Sequence, residues 1–264
     1  IFWRDDILKK QYYMRLITFF VIIYTLAMII YYRTQQHIID FFVVFIPMLA
    51  ILFVYLFILN KEFAIKLHKI LNDECDPEKF LSEYDDLYKI NKRKRINPIH
   101  YINKVATLVS LGKIDEAHQT INLVSLQEVI KKQAYAALYY INVAYLNIVD
   151  EDFEAAKKNM DAVNELKLPQ KYMHIYSDGI NRNKAEILRK QGNLPNSRKL
   201  YNELLKRKTD KRYLLNCIFA LAQIDVAEQK YDDAKIRFMK VADEGNKLYI
   251  ATLAKQEIAK ITNN

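Results

Sequence analysis

Four glycines and five prolines are all that the 264 residues contain. A β-sandwich or barrel uses Gly and Pro at its many turns, and a phosphate-cradling α/β fold needs a glycine-rich loop. Neither can be assembled from this inventory, so an almost wholly helical chain is expected. Cysteine is as scarce. Cys75 and Cys217 lie far apart and have no Cys or His at ligand spacing. That excludes a disulfide framework or a zinc ribbon and leaves two structural thiols in a reducing compartment. Asn-x-Ser/Thr is absent, as expected of a domain that never enters a secretory lumen.

The motifs of enzyme chemistry are missing too. No Walker loop, dinucleotide fingerprint, His-Glu-x-x-His or Gly-x-Ser-x-Gly occurs. His37, His68, His100, His118 and His174 are scattered, with no two at i, i+4 spacing. Acidic pairs such as Asp85/Asp86 and Asp232/Asp233 fall on turns or exposed helix faces. No catalytic residue, cofactor or metal is expected, and the chain reads as a non-enzyme.

What is present is strongly segregated. Residues 16–32 carry no charge and are flanked by Arg15 and Arg33; residues 41–60 are equally uncharged and hold fifteen Leu, Ile, Val or Phe. At about 1.5 Å per residue either run matches a hydrocarbon core of about 30 Å. Tyr12, Tyr13, Tyr31 and Tyr32 sit where an aromatic belt belongs. Residues 1–60 therefore read as a two-helix transmembrane hairpin. Arg4, Lys9, Lys10 and Arg15 precede it, and Lys61, Lys66 and Lys69 follow it, with Arg33 alone in its loop. By the positive-inside rule both termini are cytoplasmic, which predicts an integral inner-membrane protein. The chain begins at Ile1 rather than Met, as expected of part of a longer protein.

After Asn60 the pattern becomes amphipathic helices separated by short turns. Gly112-Lys113-Ile114-Asp115-Glu116-Ala117 is followed by Ile121 and Val124. Asp152-Phe153-Glu154-Ala155-Ala156 leads to Met160 and Val163, with Pro169 closing the unit. Gly192-Asn193-Leu194 leads to Ser197, Tyr201 and Leu204, and Lys230-Tyr231-Asp232-Asp233-Ala234 leads to Phe238 and Val241. Each turn is followed by a small residue, a bulky one four later and an apolar one three after that. This resembles the turn and second helix of a tetratricopeptide repeat over about residues 98–245. The small positions 117, 156, 197 and 234 are 39, 41 and 37 apart, against about 34 in that family. The family's Trp and Leu-Gly pair are missing, which makes the array degenerate.

The resemblance implies a right-handed α-solenoid of helix pairs at about residues 61–90, 98–126, 127–168, 170–208 and 211–245, closed by a capping helix at 247–262. Within it, Asp76-Pro77 reads as a helix start. A Ser125-x-x-Glu128 capping box opens one long helix running to about Val149. The family's first helices line a concave groove that holds a peptide or partner helix. By position the groove here comprises Ile102, Ala106, Ile141, Tyr145, Arg182, Glu186, Arg189, Phe219 and Gln223. Apolar surface beside Arg182 and Arg189 suits a partly acidic, amphipathic segment.

The residues after Asn60 carry a net charge of +7. Two basic clusters contribute most visibly: Lys89, Lys92, Arg93, Lys94 and Arg95, then Lys206, Arg207, Lys208, Lys211 and Arg212. Helix lengths bring the first cluster back towards a bilayer, so it reads either as a contact to anionic headgroups or as a solvated linker. No nucleic-acid module is recognisable, and no nucleic acid is expected as a partner. The expected role is a membrane-anchored bacterial scaffold recruiting a protein or peptide. A structural subunit of a larger membrane complex, held through its spans, is the alternative.

Overall fold

The computed structural model describes residues 38–90, 97–168, 170–207 and 210–263, with scattered positions between 18 and 33. Among these the regular elements are α-helices: α1 (Ile38–Asn72), α2 (Pro77–Ile90), α3 (Pro98–Ser110), α4 (Ile114–Ile121), α5 (Leu126–Val129), α6 (Gln133–Val149), α7 (Phe153–Asn164), α8 (Gln170–Lys190), α9 (Leu194–Leu205), α10 (Lys211–Ala227), α11 (Tyr231–Glu244) and α12 (Tyr249–Asn263). The chain divides into two compact units, Ile1–Lys66 and Leu67–Asn264, with the boundary inside α1.

The transmembrane hairpin is overturned. No helix among the described residues is long and apolar enough to cross a membrane. About half of the first expected span, 16–32, lies outside the described residues. The second, 41–60, does not end at Asn60. It is the front part of α1, which continues unbroken to Asn72 through Lys61, Glu62, Lys66 and Lys69. Here the apolar run is one section of a longer helix, whose last turns bury Leu67, Ile70 and Leu71 in protein core. Inner-membrane localisation, with the termini assigned by charge, falls with the hairpin. Of the basic run Lys89, Lys92, Arg93, Lys94 and Arg95, little is described. Lys89 lies in the last turn of α2, and residues 92–95 are outside the described residues.

The second unit is a succession of helix pairs. α3 packs on α4, α6 on α7, α8 on α9 and α10 on α11, while α3, α6, α8 and α10 pack on one another in that order. Local chemistry sets the helix starts. Asp76 Oδ1 accepts the Lys79 N–H at 2.9 Å, Asn97 Oδ1 that of Ile99 at 3.2 Å, and Asp152 Oδ1 that of Ala155 at 2.9 Å. Each satisfies one of the donors that a helix N-terminus leaves open. Residues 126–149 do not form one helix: α5 ends at Val129, and a turn at 130–132 separates it from α6.

The four turns share one backbone device. Gly112, Glu151, Gln229 and Gly192 all have positive φ, between 61 and 77°. The next residue's N–H reaches back five positions, 113 to 108, 152 to 147, 193 to 188 and 230 to 225, at 2.8–2.9 Å. This is the 6→1 bond of a Schellman motif, which ends a helix and satisfies an orphan carbonyl. Five residues after each left-handed position stands Ala117, Ala156, Ser197 or Ala234, all 0% exposed. A small side chain there lets the second helix of the pair approach the first. The bulky positions that follow (Ile121, Met160, Tyr201, Phe238) and the next apolar ones (Val124, Val163, Leu204, Val241) are buried as well. Full burial of such side chains contributes about 1.5–3 kcal/mol each.

The ends of this unit meet. The turn between α1 and α2 docks on the start of α12: the Lys247 N–H donates to Cys75 O at 3.1 Å, and Asn246 Nδ2 to Glu74 O at 2.8 Å. Cys75 is fully buried among Leu215, Phe219, Phe238 and Leu248. The ring of Tyr249, at the head of α12, covers Gly112 in the turn of the first pair. The C-terminal core is thus completed by residues from the unit's own N-terminal end.

Candidate functional site

The residues assigned to a groove separate into two groups. Ile102, Ile141 and Phe219 are 1–7% exposed and belong to core clusters. Adjacent first helices consume them as packing surface. Ala106, Tyr145, Arg182, Glu186, Arg189 and Gln223 remain partly exposed.

Glu186 and Arg189 are bonded to each other. Arg189 Nε donates to Glu186 Oε2 at 3.0 Å and Nη2 to Oε1 at 2.5 Å, a two-pronged pair one helical turn apart. Tyr201 Oη, from α9, donates to the same carboxylate at 2.8 Å. Burial pushes the Glu186 carboxyl up, but the bonds from Arg189 and Tyr201 outweigh it and hold the pKa below the usual range. The triad pins α8 to α9.

Arg182 is placed differently. Its guanidinium carbon lies over the Tyr145 ring at 5.3 Å and over the Tyr213 ring at 5.8 Å, so rings from α6 and α10 flank it. Tyr213 is itself fixed, its hydroxyl donating to Asp178 O at 2.7 Å. Cation–π contact of this kind is worth about 0.5–2 kcal/mol, but it neutralises no charge. Arg182 Nε is buried and has no hydrogen-bond partner.

Arg212, in the first turn of α10, is the second cation. Its Nε donates to Asn72 Oδ1 at 2.8 Å and its Nη1 to Ser110 Oγ at 2.9 Å. Both acceptors are neutral. Burial, followed by repulsion from Arg182, lowers its pKa to about 10, against weaker attraction from Asp210 and Cys75. It stays protonated at neutral pH, in a setting that disfavours its charge. Its position at the N-terminal end of α10 adds to that, because helix dipoles favour anions there. The site therefore draws on α1, α3, α6, α8 and α10, with Asn72, Ser110, Tyr145, Arg182, Arg212 and Tyr213 converging.

Of these residues Arg182 and Tyr145 belong to the groove expected from the sequence, and Arg212 to the second basic cluster. That cluster dissolves in the fold. Arg207 pairs with Asp178, Lys211 approaches Glu244 at 3.9 Å, and Lys208 lies outside the described residues. Arg212 alone turns inward to Asn72 and Ser110. Those two partners are 140 and 102 residues away in the chain, and no local pattern marks them.

Other reactive groups have structural settings. Cys75 and Cys217 are free and buried, and burial raises both thiols, Cys217 to about 12, which makes them poor nucleophiles. No group of three or more potential ligands for a metal ion occurs among the described residues. Comparison of the chain with protein-family models, curated proteins and solved structures finds no match.

Proposed function

We propose that the helix-pair array is a binding scaffold for a partner protein, which it engages through the layer of first helices α3, α6, α8 and α10. The observation that carries this reading is the composition of that layer. Its apolar members are spent on packing, while Ala106, Tyr145, Arg182 and Gln223 stay accessible on four successive helices. Stacked repeats offer extended surfaces of this kind, assembled from equivalent positions of neighbouring units. The basic balance after Asn60, +7, favours an acidic partner through long-range attraction.

A photo-crosslinking amino acid tests the reading. Placed at Ala106 or Gln223 of the full chain in native extract, it should give one discrete protein adduct. Placed at Lys158 or Lys240, exposed on the second helices α7 and α11, it should not. Equal labelling from both layers, or none from the first, ends the proposal.

A further inference from the structure

We propose that Arg182 and Arg212, framed by Tyr145, Tyr213, Ser110 and Asn72, recognise a carboxylate presented by the bound partner. The inference rests on the scaffold reading above and specifies the chemistry of its site.

The argument is one of compensation. Four other arginines of this unit all have carboxylate partners: Arg189 with Glu186, Arg198 with Asp225 and Glu228, Arg207 with Asp178, and Arg237 with Asp225. Arg182 and Arg212 have none among the described residues. The nearby acids are already engaged: Glu186 with Arg189 and Tyr201, Asp178 with Arg207, and Asp210 with His68 at 3.4 Å. Two guanidinium groups that repel each other across a partly buried site are unfavourable unless something anionic completes them.

The donors left open select the anion. The Arg182 guanidinium carbon lies over the rings of Tyr145 and Tyr213, and its Nε is buried without a hydrogen-bond partner. A planar carboxylate meets a guanidinium edge through two parallel N–H···O bonds. Arg212 spends Nε and Nη1 on Asn72 and Ser110, which leaves Nη2 as a second donor held in a fixed orientation.

The test uses the full chain and two isomeric monoanions. N-acetylglutamate α-amide carries a side-chain carboxylate, and N-acetylglutamine carries a terminal one. The neutral N-acetylglutamine α-amide is the blank, and inorganic phosphate is the competing anion. The thermal midpoint is followed against ligand concentration at constant ionic strength. At least one carboxylate should raise it saturably above the blank and above phosphate, and the one that does identifies the source. Arg182→Gln and Arg212→Gln should each weaken the effect about tenfold or more. Arg182→Lys keeps the charge but loses the fork, and should weaken it comparably while folding normally. No midpoint change beyond the blank, an equal gain in the Gln variants, or a larger gain from phosphate would each overturn the proposal. A chain that crosslinks a partner but ignores carboxylates sinks this site alone. A carboxylate effect with no crosslinked partner sinks the scaffold reading instead.

Discussion

Asn183 Nδ2 donates to the backbone carbonyl of Ile141 at 3.0 Å, and one helix pair earlier Asn142 Nδ2 makes the same bond to the carbonyl of Ile102 at 3.0 Å. Each bond ties a first helix to the first helix before it. The donors are 41 residues apart and the acceptors 39, so the contact repeats with the array. Asn183 is completely buried. An asparagine in mid-helix disfavours the helix slightly by propensity, which points to a tertiary reason for its presence.

Replacing Asn183 by Ala should therefore destabilise the second unit by about 1–3 kcal/mol, the cost of losing a buried hydrogen bond and leaving a small void. Asn142 is partly exposed, and water can take over part of its role. Asn142→Ala should cost less. Urea unfolding at neutral pH measures both, and a larger loss at Asn142 than at Asn183 would contradict the burial argument.

The turns allow a sharper comparison. Gly112 and Gly192 have nearly the same φ, 73 and 77°, but different surroundings. A Cβ at Gly112 would lie 2.5 Å from Cγ and Cδ1 of Tyr249, whereas at Gly192 it would meet nothing within 4 Å. Gly192→Ala should cost only the left-handed strain of an L-residue, about 1–2 kcal/mol. Gly112→Ala should cost that plus displacement of the Tyr249 ring. In the other two turns Glu151 and Gln229 already bear this strain, so Glu151→Gly and Gln229→Gly should stabilise, by up to about 1 kcal/mol. Thermal midpoints should rise from Gly112→Ala, the lowest, through Gly192→Ala to Glu151→Gly and Gln229→Gly.

These turns also mark how far the sequence could be read. The left-handed position, the small residue five later and the buried pair after it are local and periodic, so Gly112 with Ala117 and Gly192 with Ser197 stood out unaided. Glu151 and Gln229 did not, because nothing about either residue type announces a positive φ. Of the expected groove only a helix face was legible. Period 3.6 picks out that face but does not say which part of it a neighbouring helix covers, as with the buried Ile102, Ile141 and Phe219. Contacts such as Arg212 with Asn72, or Asn246 with Glu74, join residues 140 and 172 apart; no repeat encodes them. The apolar run at 41–60 was read as a span from length and composition alone, and no helix among the described residues is long and apolar enough to be one.

Asp225 offers a test of buried charge. It is 1% exposed, with Oδ1 2.8 Å from Arg198 and Oδ2 2.7 Å from Arg237. Neutralising it by Asp225→Asn leaves two guanidinium groups facing an amide and should cost about 3–5 kcal/mol. Arg237 is about a third exposed, so its loss is partly screened, and Arg198 still serves the carboxylate. Arg237→Gln should cost about 1 kcal/mol or less. Denaturant midpoints at pH 7 separate the two, and equal costs would mean that the carboxylate is not the centre of the network.

His100 makes stability depend on pH in a defined window. It is 4% exposed, stacked on Tyr84 at 4.7 Å between ring centroids, with Tyr101 edge-on at 5.6 Å. Burial lowers its pKa from 6.5 to about 4, although Asp85 at 3.8 Å opposes the shift; Lys104 reinforces it. The folded state thus keeps the imidazole neutral where the unfolded chain takes up a proton. Stability from this group is complete above pH 6.5 and is lost as pH falls from there towards about 4, by at most about 3 kcal/mol. Glu186, whose pKa is lowered on folding, loses its contribution only below the ordinary carboxylate range, so the two windows are distinct. Urea unfolding at steps from pH 7.5 to 5 should show a decline that His100→Gln flattens. A profile unchanged by that substitution would place the acid sensitivity elsewhere.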